Sequence, residues 1–333
     1  MAGSHITVPG AIALTRHEVE RTTHRRTDTD WLARAWADQA TQVLVVQDGQ
    51  VLARIDDGGA ELVFVSPDQA PEGDRFLLGV DDTGVAYFGV SGSLDSAHGA
   101  AGPAPEQNGQ VAASGRDPGG GSGRDPGLRR AGLREAGTLL TDRDAGLLTH
   151  AVALANWHAV AGFCPRCGSV TRPEQAGHSR RCTADGSEHF PRSDPAVIMS
   201  VTDPDDRLLL ARNAQWPTGR VSVLAGFVEP GESAEQAVAR EVHEETGVVV
   251  AAVTYAGSQP WPMPHNLMLG FRASSEGTAI TVDGEEIAEA RWYSRDDLRQ
   301  VLESGVLKMP PSLSISRWLI ETWYGSGLPR PAR

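Results

Sequence analysis

Hydrophobic residues change period three times along the chain. From Ile6 to about Gly89 they fall in short runs such as Gln42–Gln47 and Glu61–Val65, set off by Asp-Gly and Gly-Gly pairs, which predicts a β-rich N-terminal domain over 1–90. Between 91 and 127 the apolar content collapses and Gly-Arg-Asp-Pro-Gly occurs twice in a Gly/Ser/Pro background, the composition of a flexible linker. Leu139, Leu140, Ala145, Leu147, Leu148, Ala151 and Leu154 then return at helical spacing and predict a helical connector over 128–163. A cysteine-bearing segment, 164–191, precedes a final domain, 192–325. In it, strand-like runs at Ala196–Val201 and Arg207–Ala211 flank the turn Asp203-Pro204-Asp205-Asp206, further strands are expected at Val221–Leu224 and Val248–Tyr255, and the stretch from Asp296 to Tyr324 is helical in pattern. Strands, a helix and strands again give an α+β class.

With 333 residues the chain is too long for one compact domain, and 40% hydrophobic content is too high for wholesale disorder. A formal charge of −13 disfavours broad nucleic-acid binding, although a local basic pocket can oppose the global sign. No segment has the roughly 20 apolar residues of a membrane span, and the N-terminus lacks a secretory pattern, so a soluble cytoplasmic protein is expected. All three cysteines, Cys164, Cys167 and Cys182, fall in one stretch; an odd, clustered set suggests metal ligation in a reducing compartment.

The candidate chemistry lies between Gly226 and Val248. Ser233 and Gln236 form a capping-box signature and Gly247 a C-terminal stop, so Ala234–Thr246 should be a helix. At about 100° per residue, Glu241 and Glu245 share the sector of Ala234, Ala237 and Val238, the face expected to be buried. Two inward carboxylates repel one another and need a cation; Arg240 lies off that line, and a divalent ion with oxygen ligands and substrate phosphates suits the requirement. Glu244, beside the sector, can complete the cluster or handle a water. The competing view, a solvated charged helix, is weakened by the inward placement and by the glycine turn before the cap.

These residues resemble the Nudix box: Gly226, five residues, Glu232, seven residues, then Arg240-Glu241-Val242-x-Glu244-Glu245-x-Gly247-Val248. Downstream, Ser258-Gln259-Pro260-Trp261-Pro262-Met263-Pro264-His265-Asn266 resembles the Pro/Trp array of the NADH pyrophosphatase (NudC-type) branch, with Asn266 where the pattern has Ser. Cys164-Pro-Arg-Cys167, fourteen residues and Cys182-Thr-Ala-Asp185 resemble that branch's zinc ribbon, with Asp185 in the fourth cysteine's place. Zinc accepts carboxylate or imidazole, so Asp185 or His189 can close the site; an unmetallated remnant is the alternative.

The resemblance implies a Nudix fold of mixed sheet and flanking helices, and hydrolysis of NAD(H) to NMN(H) and AMP. It implies Mg²⁺ or Mn²⁺ on Glu241, Glu245, Glu286 and the Ala225 carbonyl, with Glu244 or Glu245 taking the proton. Phe227 would stack on the substrate ring, Gln259 to Asn266 would line its pocket, and Ser316 would contact it through its backbone; Phe190 and Arg134 match more loosely. A homodimer is also implied. Two other readings share the motifs: removal of an NAD cap from an RNA 5′ end, and a nucleotide-sensing regulator without catalysis.

Overall fold

The structure, a computed structural model, describes residues 12–100 and 127–329, with the side chains of 98–100 left aside. The chain divides into two compact units, one of residues His17–Pro191 and one that joins Met1–Arg16 to Arg192–Arg333.

The first unit opens with α1 (Thr29–Ala37), capped by Asp28 at the Trp31 amide, and continues through β1 (Gln42–Val46), β2 (Gln50–Asp56), β3 (Gly59–Leu62), β4 (Arg75–Val80) and β5 (Ala86–Ser91). Next come α2 (Leu94–Ala100), β6 (Leu128–Gly132), α3 (Leu133–Ala136) and α4 (Asp142–Val160), then β7 (Thr171–Glu174), β8 (Ser179–Cys182) and β9 (Glu188–His189). Three small sheets result, ordered β1-β5-β4, β3-β2-β6 and β7-β8-β9. Val43, Leu52, Leu77, Phe88 and Leu94 make one core, and α4 contacts β1, β4 and β5.

Three expectations change here. Residues 128–132 form a strand paired with β2, and α4 buries Leu147, Leu148, Ala151 and Leu154, so 128–163 completes the N-terminal domain instead of connecting it to the next. The expected linker begins with a helix whose Leu94 and Ala97 are buried, while 101–126 lie outside the described residues. Ile12, placed by its sequence neighbours in the β-rich domain, belongs to the core of the second unit.

The second unit contains β10 (Asp194–Thr202), β11 (Leu208–Asn213), β12 (Leu224–Phe227), α5 (Ala234–Thr246), β13 (Val250–Trp261), β14 (Asn266–Ser275), β15 (Ile287–Tyr293), α6 (Arg295–Glu303) and α7 (Ile315–Tyr324). Its mixed sheet runs β13-β14-β10-β11-β15, with β12 also paired to β10. β10 is parallel to β14 and antiparallel to β12. Because side chains alternate across a strand, Val197, Met199 and Val201 of β10 enter a core with Ala237, Val238 and Val242 of α5, while Ile198 enters another with Leu298 of α6 and Leu319 of α7. Helices therefore cover both faces. Full burial of an aliphatic side chain is worth about 1.5–3 kcal/mol, so Val238 and Val242, both fully buried, fasten α5 to the sheet.

Candidate active site

Local chemistry sets the ends of α5. The Ser233 hydroxyl accepts from the Gln236 amide at 3.2 Å and the Gln236 side chain accepts from the Ser233 amide at 2.9 Å, which satisfies two helix-end donors. Gly247, at φ 68°, stops the helix in the left-handed conformation that glycine adopts at least cost.

Between these ends the expected inward face is present. Glu245 is 4% exposed, and its Oε2 has no hydrogen-bond partner. Burial, followed by repulsion from Glu286, Glu241, Asp283 and Glu244, pushes its carboxyl up to about 8. Glu241 is also raised, by burial first, against the lowering effect of Arg240. Its carboxyl lies against the Gly226 backbone: a Cβ at 226 would stand 1.9 Å from Glu241 Cδ. The glycine of the motif is thus a cradle for a carboxylate.

Arg240 organises the remaining acids. Its guanidinium donates to Glu232 at 2.8 and 2.9 Å, to Glu241 at 2.9 Å, to Glu244 at 3.0 Å and to the Phe227 carbonyl at 2.9 Å. Glu232, which also accepts from the Glu229 amide, is held at about 2 mainly by Arg240. Glu232 therefore ties the loop to the helix, while Glu244 remains largely exposed. Glu286 is exposed in the bend before β15, where Asp283 accepts from the amides of Glu286 and Ile287. Ala225 sits in β12 opposite Ile198, next to the cradle glycine.

A buried carboxylate oxygen without a donor, beside a second raised carboxyl and a third acid, fits a divalent cation: the donors are all oxygen, and a cation removes both the desolvation cost and the repulsion.

The Pro/Trp array is mostly strand. Ser258 to Trp261 end β13, Asn266 begins β14 opposite Trp261, and Pro262–His265 make the turn, with a cis Met263-Pro264 bond. Asp194 clamps that turn, accepting from His265 Nε2 at 2.9 Å while its amide donates to the His265 carbonyl at 2.9 Å.

Gln259 and Ser316 depart from expectation. Gln259 is 0% exposed; its Nε2 donates to the Leu313 carbonyl and its Oε1 accepts from the Ile315 amide, both at 2.8 Å. Both ends of the amide hold the start of α7, so Gln259 shapes the wall without facing a ligand. Ser316 is buried, its amide donates to the Ser314 hydroxyl and its hydroxyl pairs with that of Ser222 at 2.7 Å, so its backbone donor is already used. Phe227 is half exposed on β12 and keeps a ring face available. Phe190 and Arg134 lie in the other unit, Phe190 largely exposed and Arg134 in α3. Asp194, Asp283 and Gly226 were not singled out as working residues in the sequence. Only Gly226 carried a signal, its place in the motif; Asp194 meets a partner 71 positions away.

The cysteines meet as expected. Cys164, Cys167, Cys182 and Asp185 bring one ligand atom each to within 4.8 Å of one another. Two similar turns build the cluster. Gly168 (φ 74°) donates to the Cys164 carbonyl at 2.9 Å, and Gly186 (φ 71°) donates to the Cys182 carbonyl at 3.2 Å. Asp185 stands in the second turn where Cys167 stands in the first. Its Oδ1 accepts from the Ser187 amide and hydroxyl, which with further hydrogen bonds holds the carboxyl at about 2 and leaves Oδ2 toward Cys164, 4.0 Å from Sγ. His189 is bound to the Ser187 hydroxyl at 3.0 Å and also hydrogen-bonds the Cys164 thiol. Three thiols and a carboxylate at this spacing fit zinc.

A six-strand mixed sheet with helices on both faces and the glutamate helix α5 beside β12 defines a Nudix hydrolase fold, and residues 192–313 match the NUDIX domain family model. The chain belongs to the Nudix superfamily, in its NADH pyrophosphatase branch. Residues 161–190 match the NADH pyrophosphatase zinc ribbon domain and 40–157 the NADH pyrophosphatase-like rudimentary NUDIX domain. The chain is 46% identical over 200 residues to a protein of Mycobacterium bovis named NAD-capped RNA hydrolase NudC, an alignment covering 57% of this chain and 64% of that one. It is 42% identical over 196 residues to the NAD-capped RNA hydrolase NUDT12 of Homo sapiens, covering 55% of this chain and 42% of that one. Both alignments span less than two thirds of the relative.

Proposed function

We propose that this chain hydrolyses the pyrophosphate bond of NAD(H), giving NMN(H) and AMP, and that an NAD cap on an RNA 5′ end is cleaved by the same chemistry. The observation that carries the reading is the buried, partnerless Glu245 oxygen on the Nudix-box helix, beside Glu241 and near Glu286. The names of the mycobacterial and human relatives support the substrate class.

Glu241, Glu245 and Glu286, with the Ala225 carbonyl, would hold Mg²⁺ or Mn²⁺, and bound ions supply charge neutralisation and Lewis acidity at the diphosphate. The chain's own groups do the rest. Glu244, exposed and tethered by Arg240, or Glu245 would accept a proton from the attacking water. Phe227 offers a face for a flat ring, and the Pro260–Pro264 wall, stiffened by proline and clamped by Asp194, loses little entropy when a base packs against it. Zinc on the Cys164/Cys167/Cys182/Asp185 set is structural in this scheme. Clustered free cysteines accord with a cytoplasmic setting, and no helix among the described residues is long and apolar enough to cross a membrane. We take the assembly to be a homodimer, tested by sedimentation.

The deciding experiment incubates the purified chain with NADH, NAD, ADP-ribose and NAD-capped RNA, each with Mg²⁺, Mn²⁺ or EDTA. Release of AMP and NMN(H) that needs the cation is expected. Binding without cleavage of any substrate would favour the regulator and refute the hydrolase.

A further inference from the structure

The His17–Pro191 unit gathers positive charge around two buried imidazoles. The chain at Glu20 exchanges backbone hydrogen bonds with Val80 of β4 at 2.9 and 3.0 Å, then turns sharply at Thr22, where φ is 41° and ψ 48°. A β-branched residue rarely adopts this left-handed conformation, which is strained and collects at functional positions. Thr22 is also 7% exposed, and its hydroxyl has no hydrogen-bond partner; neither has Nε of Arg26, likewise shut off from solvent. A buried donor without a partner is destabilising, and here two occur four residues apart, at Thr22 and Arg26.

His150 of α4 and His178 are both buried, with ring centroids 5.2 Å apart, and both feel the charges of Arg21 and Arg26, which flank Thr22. His178 Nε2 donates to the Leu77 carbonyl at 2.7 Å and His150 bonds the neighbouring Leu78, so each ring keeps one nitrogen free of those contacts. Burial is the largest influence on both rings; Arg21, Arg26 and neighbouring histidines also hold them neutral, against the raising effect of the hydrogen bonds to Leu77 and Leu78, and His178 is lowered to about 4. Arg180, which is buried, is paired with Asp74 at 2.8 Å and with Thr171. Arg21 is exposed, so the cluster is open to solvent on that side.

We propose that Arg21, Thr22, Arg26, His150 and His178 form a binding site for a small phosphate-bearing anion, distinct from the carboxylate site. Two guanidinium groups and a hydroxyl donate well to phosphate oxygens. An anion there opposes the positive potential at both rings and favours a proton on them, so binding is linked to proton uptake and strengthens as pH falls toward the ring midpoints, which for His178 without the anion is about 4.

The test follows the imidazole ring signals of His150 and His178 by NMR in the full chain, titrated with inorganic phosphate, with AMP, and with chloride at matched ionic strength. Saturable shifts with phosphate, and midpoints of ring titration raised by a unit or more, are expected. Binding should weaken on the order of tenfold in Arg26→Gln and in Thr22→Val, the second of which preserves shape. Shifts with AMP but not with phosphate also support the site and add the nucleoside to what it reads. If neither anion moves these two rings, or chloride moves them equally, the proposal is overturned, whatever the hydrolase assay shows.

Discussion

Replacing Glu245 by Gln should make the metal-free Nudix unit insensitive to pH where the wild type is sensitive. Glu245 is raised from 4.5 to about 8, so between these values the folded state holds a proton that the unfolded state has released. Its contribution is therefore intact below the unfolded value and is lost as pH climbs. With 1.36 kcal/mol per unit, that loss amounts to roughly 3 kcal/mol between pH 5 and pH 8. Burial at 4% exposure leaves little solvent screening to reduce it. In Glu245→Gln the pH-dependent part disappears, while the amide's unmade hydrogen bonds cost about 1–3 kcal/mol at every pH. The assay is amide exchange across α5 in EDTA from pH 5 to pH 8, which reads this unit separately from the other. The wild type should lose protection as pH rises, and the variant should keep a flat profile and lose nearly all cation-dependent turnover. Parallel profiles would refute the claim that Glu245 is buried without a charge partner, and full activity in the variant would remove it from the site.

Other outcomes follow from the same geometry. Gly226→Ala should displace the Glu241 carboxyl, which a Cβ would overlap at 1.9 Å, lowering turnover at least tenfold and stability by about 1–3 kcal/mol in a denaturant titration. Gln259→Ala orphans two buried backbone groups, at Leu313 and Ile315, so its effect should be a loss of roughly 2–5 kcal/mol of stability; a raised KM with an unchanged melting curve would restore a direct substrate role. Asp185→Cys should retain zinc against chelator longer than the wild type, and Asp185→Ala should lose it, as measured by metal content after dialysis.

Motifs that close over a few residues were legible from the sequence. The Ser233 cap, the Gly247 stop and the inward sector of Glu241 and Glu245 depend on spacing alone, while the likeness to a zinc ribbon offered Asp185 or His189 beside the three cysteines, and Asp185 is the one that joins them. What escaped depends on distant partners. Gln259 looked like a ligand-reading amide because nothing near it in the chain shows that the start of α7 takes both ends of it. Likewise, nothing in residues 128–132 indicates that β2, some eighty positions earlier, turns them into a strand. Helical spacing identified α4 correctly but could not say which sheet it covers.

Arg240 also bears on how the protein waits for its ion. With one fork it lodges Glu232, Glu241 and Glu244, so the loop and helix of the box stay assembled by an internal counter-charge before any cation arrives. Of the motif glutamates Glu232, Glu241, Glu244 and Glu245, the last is left outside that arrangement. In the proposed scheme, loading would ask for little rebuilding of the scaffold but would release the proton that Glu245 holds, so occupancy would follow the acidity of the surroundings as well as the supply of metal.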